Sequence, residues 1–184
     1  MKILFTLCFF FISSFANAEY PIANLELNNN ISNYFSDKEL KDYNWETRGY
    51  GSNEIYSLIV ITDPKQILFV NYSIMSIAYN NNTGFIEYVA GFIQGFDSFN
   101  QCIDYRDTQV NKSYFDKSFN IEKVKNDHKE TGVKQHKIIF EKPSFAVTFN
   151  CDEAEDRINY RLDYLTENFN DWVVELEGTE SEYE

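Results

Sequence analysis

The chain has 184 residues, of which 29 are acidic and 16 are Lys or Arg, so its formal net charge at pH 7 is −13. Such a charge repels nucleic acids and anionic lipid surfaces, and it argues against both as binding partners. The length suits one folded domain rather than several.

Residues 1–18 have the three parts of a cleavable export signal. Lys2 supplies the positive charge, residues 3–12 form a nearly unbroken apolar run, and Ala16-Asn17-Ala18 places small residues where a signal peptidase requires them. The alternative, an N-terminal membrane anchor, would need about twenty apolar residues, roughly twice the length of this run. We therefore expect export to the periplasm or the extracellular medium. Residues 19–184 are expected to form a single domain without stable membrane insertion.

Two short helices are predicted ahead of the sheet. Asn28-Asn29-Asn30 offers N-cap side chains for a first helix that carries Ile31 and Phe35. Ser36-Asp37-Lys38-Glu39 has the spacing of a capping box, so a second helix is predicted to begin there. Residues 44–53 contain two glycines and are predicted to form a loop.

Three strands are predicted next. Residues 55–61 are almost wholly apolar and rich in β-branched side chains, and Asp63-Pro64 ends this strand. Residues 66–79 carry apolar side chains at both odd and even positions, which predicts a central strand covered on both faces. Residues 80–84 predict a turn, and residues 85–93 are predicted to return as the antiparallel partner.

One long helix is predicted over residues 96–119. Phe96, Phe99, Ile103 and Val110 recur there at helical spacing. The following segment, residues 120–134, is highly charged and is predicted to form a loop.

The C-terminal part completes the predicted sheet. Residues 136–141 and 144–151 are predicted as two further strands, and residues 157–165 as an outer strand, because their side chains alternate between apolar and polar. Residues 168–176 predict a short helix, and the acidic tail from about residue 178 is expected to fray. The predicted class is α+β, with a single antiparallel sheet of about six strands, one long helix packed on one face and short terminal helices.

The two cysteines outside the export signal, Cys102 and Cys151, are predicted to form a structural disulfide. Two cysteines in an oxidising compartment usually pair. Cys102 lies on the apolar stripe of the predicted helix, and Cys151 shares a strand face with Phe145 and Phe149, so both are placed at one helix–sheet contact. The alternatives are a free buried thiol pair and a redox dithiol, which more often has Cys-x-x-Cys spacing.

Short stretches of the chain resemble small exported proteins of marine bacteria with compact genomes. They are Leu25-Glu26-Leu27, leading into Ile31-Ser32-Asn33-Tyr34-Phe35-Ser36, and Gly91-Phe92-Ile93, followed by the helix that carries Cys102. In layout the resemblance covers most of residues 19–184. It implies an exported α+β domain and no activity, since none is known for these proteins.

The sequence contains no motif of a known catalytic or metal site. Gly-x-Ser-x-Gly, Ser-x-x-Lys, His-Glu-x-x-His and a glycine-rich phosphate loop are all missing. The two histidines, His128 and His136, are interpreted as surface residues. Residues 152–156 form an acidic cluster, but they lack the EF-hand spacing and its glycine, so we interpret them as a solvated turn. No metal and no cofactor is predicted.

Aromatic residues are numerous, with 17 Phe, 13 Tyr and two Trp in the chain. Core packing accounts for most of them. Exposed aromatic side chains beside flexible glycines suit a binding rim, and such a rim is predicted around the loop at residues 44–53. Its members are Tyr43, Trp45, Arg48, Tyr50 and Tyr56.

Two functions are compatible with these patterns. The first is a non-enzymatic binding or accessory module of the cell envelope, whose partner is a small ligand or an envelope protein. The second is a small secreted hydrolase with dispersed acidic groups. A deep cavity with two close carboxylates, or with His136 beside an acid, would favour the hydrolase, and a shallow aromatic surface without a perturbed ionisable group would favour the binding module.

Overall fold

The structure is a computed structural model, and it describes residues 22–43, 55–68, 70–113, 115–128, 132–154 and 157–180. The predicted export signal lies outside these residues. In chain order the elements are a 3₁₀ turn Ile31–Asn33, α1 Asp37–Tyr43, β1 Tyr56–Ile61, α2 Pro64–Leu68, β2 Ile74–Asn80, β3 Ile86–Gln94, α3 Phe99–Lys112, β4 Asn120–His128, β5 Val133–Lys142, β6 Phe145–Ala154, β7 Arg157–Thr166 and α4 Glu167–Glu180.

The strands form one antiparallel sheet with the order β1-β2-β3-β7-β6-β5-β4. The predicted α+β class and single antiparallel sheet are therefore confirmed. The described residues contain seven strands instead of about six, and four α-helices instead of one long helix with short terminal ones.

The second predicted N-terminal helix is present as α1, whereas the first is only the 3₁₀ turn Ile31–Asn33, which ends before Phe35; both are capped as the sequence indicates. Asn30 Oδ1 accepts a hydrogen bond from the backbone N of Ser32 at 3.0 Å, which starts the 3₁₀ turn. The backbone N of Ser36 donates to Glu39 Oε2 at 2.8 Å, and Ser36 Oγ accepts from the backbone N of Glu39 at 3.4 Å. This reciprocal pair is the predicted capping box.

The prediction of one strand over residues 66–79 is wrong in its first half. Pro64 opens the short helix α2, because its fixed φ suits the first helical position, and β2 begins only at Ile74. The second half pairs with β3 as predicted, with Ile77 opposite Val89.

The predicted loop at residues 120–134 is also wrong, because most of it forms β4 and the beginning of β5. β4 is an edge strand, and most of its side chains are exposed on both faces. Because neither face of β4 is buried, its sequence does not alternate between apolar and polar residues. The strand is held by its backbone hydrogen bonds to β5.

Helix α3 is shorter than the predicted helix over residues 96–119. Ser98 Oγ accepts from the backbone N of Gln101 at 3.2 Å and caps its first turn, and the helix ends at Lys112. Phe115 and Phe119 follow as a separate segment whose rings pack on Phe140 of β5.

The core lies on one face of the sheet, which we call the core face. It is built from Ile59, Ile77, Val89, Phe149 and Tyr160, one from each of five strands. Residues 22–43, which we call the N-terminal segment, and α3 cover these side chains. Residues that alternate with them along the strands point to the opposite side, which we call the cavity face.

The predicted disulfide joins α3 to the core face. Cys102 and Cys151 are bonded at an S–S distance of 2.02 Å with their Cα atoms 6.0 Å apart, and they close 49 positions of chain. Both cysteines are fully buried. The bond therefore holds the helix at the helix–sheet contact that the sequence predicted.

The strand over residues 157–165 is present as β7, but it is a central strand and not an outer one. It lies between β3 and β6, because the chain returns to the middle of the sheet after the β4–β5–β6 meander. Its polar face is consequently not solvated: Asp163 is only 3% exposed. The last helix, α4, extends beyond the predicted residues 168–176 and includes Gly178, where the frayed tail was expected to begin.

Candidate functional site

The cavity face carries a cavity of about 990 Å³. Its floor contains small side chains on two strands, Ser76 and Ala78 of β2 and Ala146 and Thr148 of β6, so space remains above the sheet. α4 follows β7 directly and forms a wall at one end. The cavity thus results from small residues on the floor and one helix beside them.

Four rings close the end of the cavity beside α4, and we call this part the aromatic end. The ring of Phe169 stacks on Tyr88 with centroids 5.0 Å apart, and it meets Tyr56 edge-on at 5.2 Å. The ring of Trp172 lies 4.9 Å from that of Tyr56. Three aliphatic side chains complete the apolar surface: Leu58, Leu165 and Val173.

A buried carboxylate, Glu87, ties the aromatic end together. Its Oε2 accepts a hydrogen bond from the Tyr56 hydroxyl at 2.8 Å and from Thr166 Oγ1 at 3.0 Å. Thr166 Oγ1 also accepts from the backbone N of Phe169 at 3.3 Å, at the start of α4. Burial, together with the Glu87 charge, raises the pKa of Tyr56 above its ordinary value. The phenol therefore remains a hydrogen-bond donor at neutral pH.

An ion pair lies on the cavity floor. Arg161 Nε donates to Asp163 Oδ2 at 2.8 Å, and the Tyr88 hydroxyl donates to Asp163 Oδ1 at 3.1 Å. Burial raises the pKa of Asp163, and the charge and hydrogen bond of Arg161, the hydrogen bond from Tyr88 and the charge of Lys137 oppose this shift. The Asp163 carboxylate in turn raises the pKa of Arg161. Buried ion pairs add little net stability, so stability alone does not explain this pair. Because it lies in a cavity, it is a candidate for ligand recognition.

Two cations of the cavity retain unused donors. Lys137 of β5 and Arg161 of β7 stand on either side of Asn150 on the cavity face, one strand away from it in each direction. Both line the cavity and are half-buried. Within the described residues, neither the Lys137 Nζ nor the two Arg161 Nη groups form a hydrogen bond or an ion pair. These nitrogen groups can therefore donate to a bound molecule.

The carboxylates that line the cavity, other than Asp163, lie at its rim. Glu122 and Glu141 belong to the two outermost strands on the β4 side, and Glu167 begins α4. All three are exposed, so water and salt screen their charges more than those of the half-buried cations.

The predicted binding rim is only partly within the described residues. Trp45, Arg48 and Tyr50 lie outside them. Tyr43 packs edge-on against the core residue Phe35 at 6.4 Å, whereas Tyr56 lines the cavity. Tyr43 and Tyr56 therefore occupy different sides of the sheet and do not form one site.

The features proposed for a hydrolase do not meet in the cavity. His136 Nε2 lies 3.1 Å from Asp127 Oδ1, but His136 is on the core face, where its ring meets Phe99 of α3 edge-on. Asp152, expected in a solvated turn, is in β6 and accepts hydrogen bonds from Asn150 and Asn159. No cluster of three metal-ligating side chains is found in the described part of the chain.

The cavity is equally unlike the shallow aromatic surface expected for a binding module, because it has volume and contains a carboxyl group with a raised pKa. Sequence reasoning missed Tyr88, Lys137, Arg161 and Asp163 as site residues. The available signal was Arg161-Leu162-Asp163, two opposite charges on the same face of one strand, which was interpreted as a solvated face. That interpretation failed because β7 is central.

Comparisons with protein-family models, with curated proteins and with solved structures find no match to this chain. The described residues include no helix that has both the length and the apolar character needed to cross a bilayer. The function must therefore be inferred from the geometry of the cavity.

Proposed function

We propose that this protein is an exported binding module of the cell envelope that holds a small ligand in the cavity between the sheet and α4. The observation that carries this proposal is the cavity itself, whose volume of about 990 Å³ lies at the upper end of the range typical of small-molecule sites. Its apolar wall and few convergent polar groups are also typical of such sites.

Rigidity of the floor supports a binding role. Three polar groups of the floor lie on the central strands β3 and β7 and hold one another, since Asp163 accepts hydrogen bonds from both Arg161 and Tyr88. A ligand that binds such a preorganised surface loses less free energy to ordering of side chains.

The Cys102–Cys151 bond supports export, because structural disulfides persist mainly in oxidising compartments. The apolar run at residues 3–12 and the acidic composition agree with a signal-directed, well-solvated protein. The likeness to small exported bacterial proteins extends this proposal to the periplasm or the extracellular medium.

The hydrolase alternative has one observation in its favour, the raised pKa of Asp163 in a cavity. Both oxygens of this carboxyl already accept hydrogen bonds from Arg161 and Tyr88, which leaves it poorly placed to donate a proton to a substrate. Turnover of chromogenic ester or glycoside substrates by the parent, lost in Asp163→Asn, would favour the hydrolase.

The binding proposal is tested by blocking the cavity. Ala146 is half-buried on the cavity floor, so Ala146→Trp places an indole in the space that a ligand would use. Ile121→Trp is the matched control, because Ile121 lies on the other face of the edge strand and is 55% exposed. The measurement is amide NMR during titration with a set of small amphiphilic and aromatic compounds.

We expect shifts confined to the cavity-lining strands β2, β3, β5, β6 and β7 and to α4 in the parent and the Ile121→Trp variant, and their loss in Ala146→Trp. Shifts on the α3 side of the sheet, or equal shifts in Ala146→Trp and the parent, would contradict the proposal.

A further inference from the structure

We propose that the ligand is an amphiphile with an anionic head group, bound with its head at Lys137 and Arg161 and its apolar part at the aromatic end. This inference rests on the proposed function and names the chemical class of the ligand. It is carried by the separation of charged and apolar groups within the one cavity.

The unused cationic donors of the cavity favour an anionic head. Arg161 is paired with Asp163, and Lys137 is half-buried and forms no hydrogen bond or ion pair among the described residues, although its charge also acts on Asp163. The rim carboxylates Glu122, Glu141 and Glu167 are exposed and therefore act through a higher effective dielectric. Lys137 and Arg161 can therefore donate to an anion, although Asp163, Asp152 and the buried Glu87 offset their charge and the whole chain is acidic.

The geometry of Arg161 suits the same head group. Its Nε is used by Asp163, which fixes the plane of the guanidinium, and its two Nη groups remain available. A guanidinium held in this way presents donors in a fork that matches the oxygens of a carboxylate, sulfate or phosphate. Lys137, across Asn150, supplies a second and more flexible donor.

The apolar part of the ligand would follow β7 toward α4. Arg161 and Leu165 are four residues apart on the cavity face, a distance of about 13 Å along an extended strand. Leu165 lies opposite Tyr88 of β3 and Ala146 of β6, and these strands lead to the aromatic end. A chain of medium length therefore spans from the cations to the rings.

Isothermal titration calorimetry with probes that share a twelve-carbon tail tests this inference. The probes are dodecanoate, dodecyl phosphate, dodecyltrimethylammonium and dodecyl maltoside, each below its micelle concentration. We expect the anionic probes to bind at 1:1 stoichiometry and about tenfold or more tightly than the cationic and neutral ones. The ratio between dodecanoate and dodecyl phosphate distinguishes a carboxylate from a phosphate head.

Two variants of equal charge locate the head group. Lys137→Gln removes the cavity cation that forms no hydrogen bond or ion pair among the described residues, and Lys123→Gln removes an exposed lysine on the other face of β4. We expect Lys137→Gln to weaken dodecanoate binding about tenfold and to leave dodecyl maltoside unchanged, whereas Lys123→Gln changes neither.

The outcomes separate this inference from the proposed function. Equal affinity for all head groups, or equal effects of Lys137→Gln and Lys123→Gln, overturns the anionic class. In that case the binding function stands if Ala146→Trp abolishes binding. If none of the probes binds, or if binding survives Ala146→Trp, the inference is overturned. The proposed binding function of the cavity is then contradicted as well.

Discussion

Arg161 and Asp163 show what an alternating pattern does and does not specify at the level of single residues. Alternation in residues 157–165 correctly separates the side chains into two faces, with Tyr160 on the core face and Arg161 on the other. It does not specify what covers the polar face, because that depends on where the strand lies in the sheet. The cavity floor was therefore hidden in a pattern that otherwise indicates a solvated surface.

Removing one member of this ion pair should cost more than removing both. In Arg161→Leu the carboxylate of Asp163, only 3% exposed, loses its cation, and we expect the free energy of unfolding to fall by about 3 kcal/mol. Arg161→Leu/Asp163→Leu removes both charges of the pair and should recover most of this loss. Urea denaturation measures both values, and equal stability of the single and double variants would contradict the argument.

Gly91 of β3 is a glycine at which a side chain has no room. A Cβ atom at this position would lie 2.6 Å from ring carbons of Tyr72, so the ring must move. We expect Gly91→Ala to lower the free energy of unfolding by about 1 to 3 kcal/mol. In a Tyr72→Ala background the same substitution should be neutral or stabilising, because alanine restricts the unfolded chain more than glycine. A cost that is unchanged in that background, measured by urea denaturation, would exclude the clash as its cause.

Tyr72 also predicts a loss of stability at alkaline pH. Burial raises the pKa of Tyr72 to about 12, compared with about 10 in the unfolded chain. Between these values the folded state keeps the proton that the unfolded state loses, so the free energy of unfolding falls as pH rises, by about 1.4 kcal/mol at pH 11.

Tyr72→Phe removes this contribution, and its stability should decline less steeply than that of the parent between pH 9 and pH 11 in urea denaturation. Tyr160, whose pKa burial also raises, keeps part of the decline in the variant. Identical pH dependence of the two proteins would show that Tyr72 is not the group responsible.

At the level of elements, prediction succeeded where a segment buries its own side chains. β3 and β6 carry fully buried residues such as Val89 and Val147, and the predicted bounds are within one residue for β3 and within three for β6. β4 was missed because it is stabilised by pairing with β5, and no feature of its own side chains records that partner. The prediction of one strand over residues 66–79 was wrong because this apolar stretch contains the end of a helix, a connection and a strand in turn.

Helix α4 should depend on Thr166 for its attachment to the cavity. Thr166 Oγ1 accepts from the backbone N of Phe169 and donates to Glu87 Oε2, so Thr166→Val removes a cap and one partner of a buried carboxylate. We expect faster hydrogen exchange at the amides of α4 and a loss of about 1 to 2 kcal/mol of unfolding free energy.

The control for this change is Thr108→Val. Thr108 is an exposed residue of α3 whose hydroxyl donates to the backbone O of Asp104 within the same helix. It should leave exchange in α4 unaltered. Protection of α4 that is the same in Thr166→Val and the parent would mean that the aromatic contacts alone hold this helix.

The whole molecule is divided by its sheet into a stabilising side and a binding side. The N-terminal segment, α3 and the disulfide lie on the core face, whereas the cavity face has α4 beside an open floor. Small side chains such as Ala78 and Ala146 would weaken a core, yet on the cavity face they are what makes room for a ligand. Substitutions on the core face should therefore change stability without changing binding.

The disulfide is the sharpest test of that independence. Cys102→Ala/Cys151→Ala removes the bond that closes 49 positions of chain, and we expect the free energy of unfolding to fall by about 2 to 5 kcal/mol, with a lower Tm. Because both sulfur atoms lie on the core face, binding of dodecanoate measured well below the new Tm should equal that of the parent.

The parent treated with a reductant is the control for effects of the alanines themselves. Equal Tm values for variant and parent would show that the cross-link does not stabilise the fold. A variant that keeps its secondary structure but loses the ligand would show that α3 positions the cavity floor through the sheet.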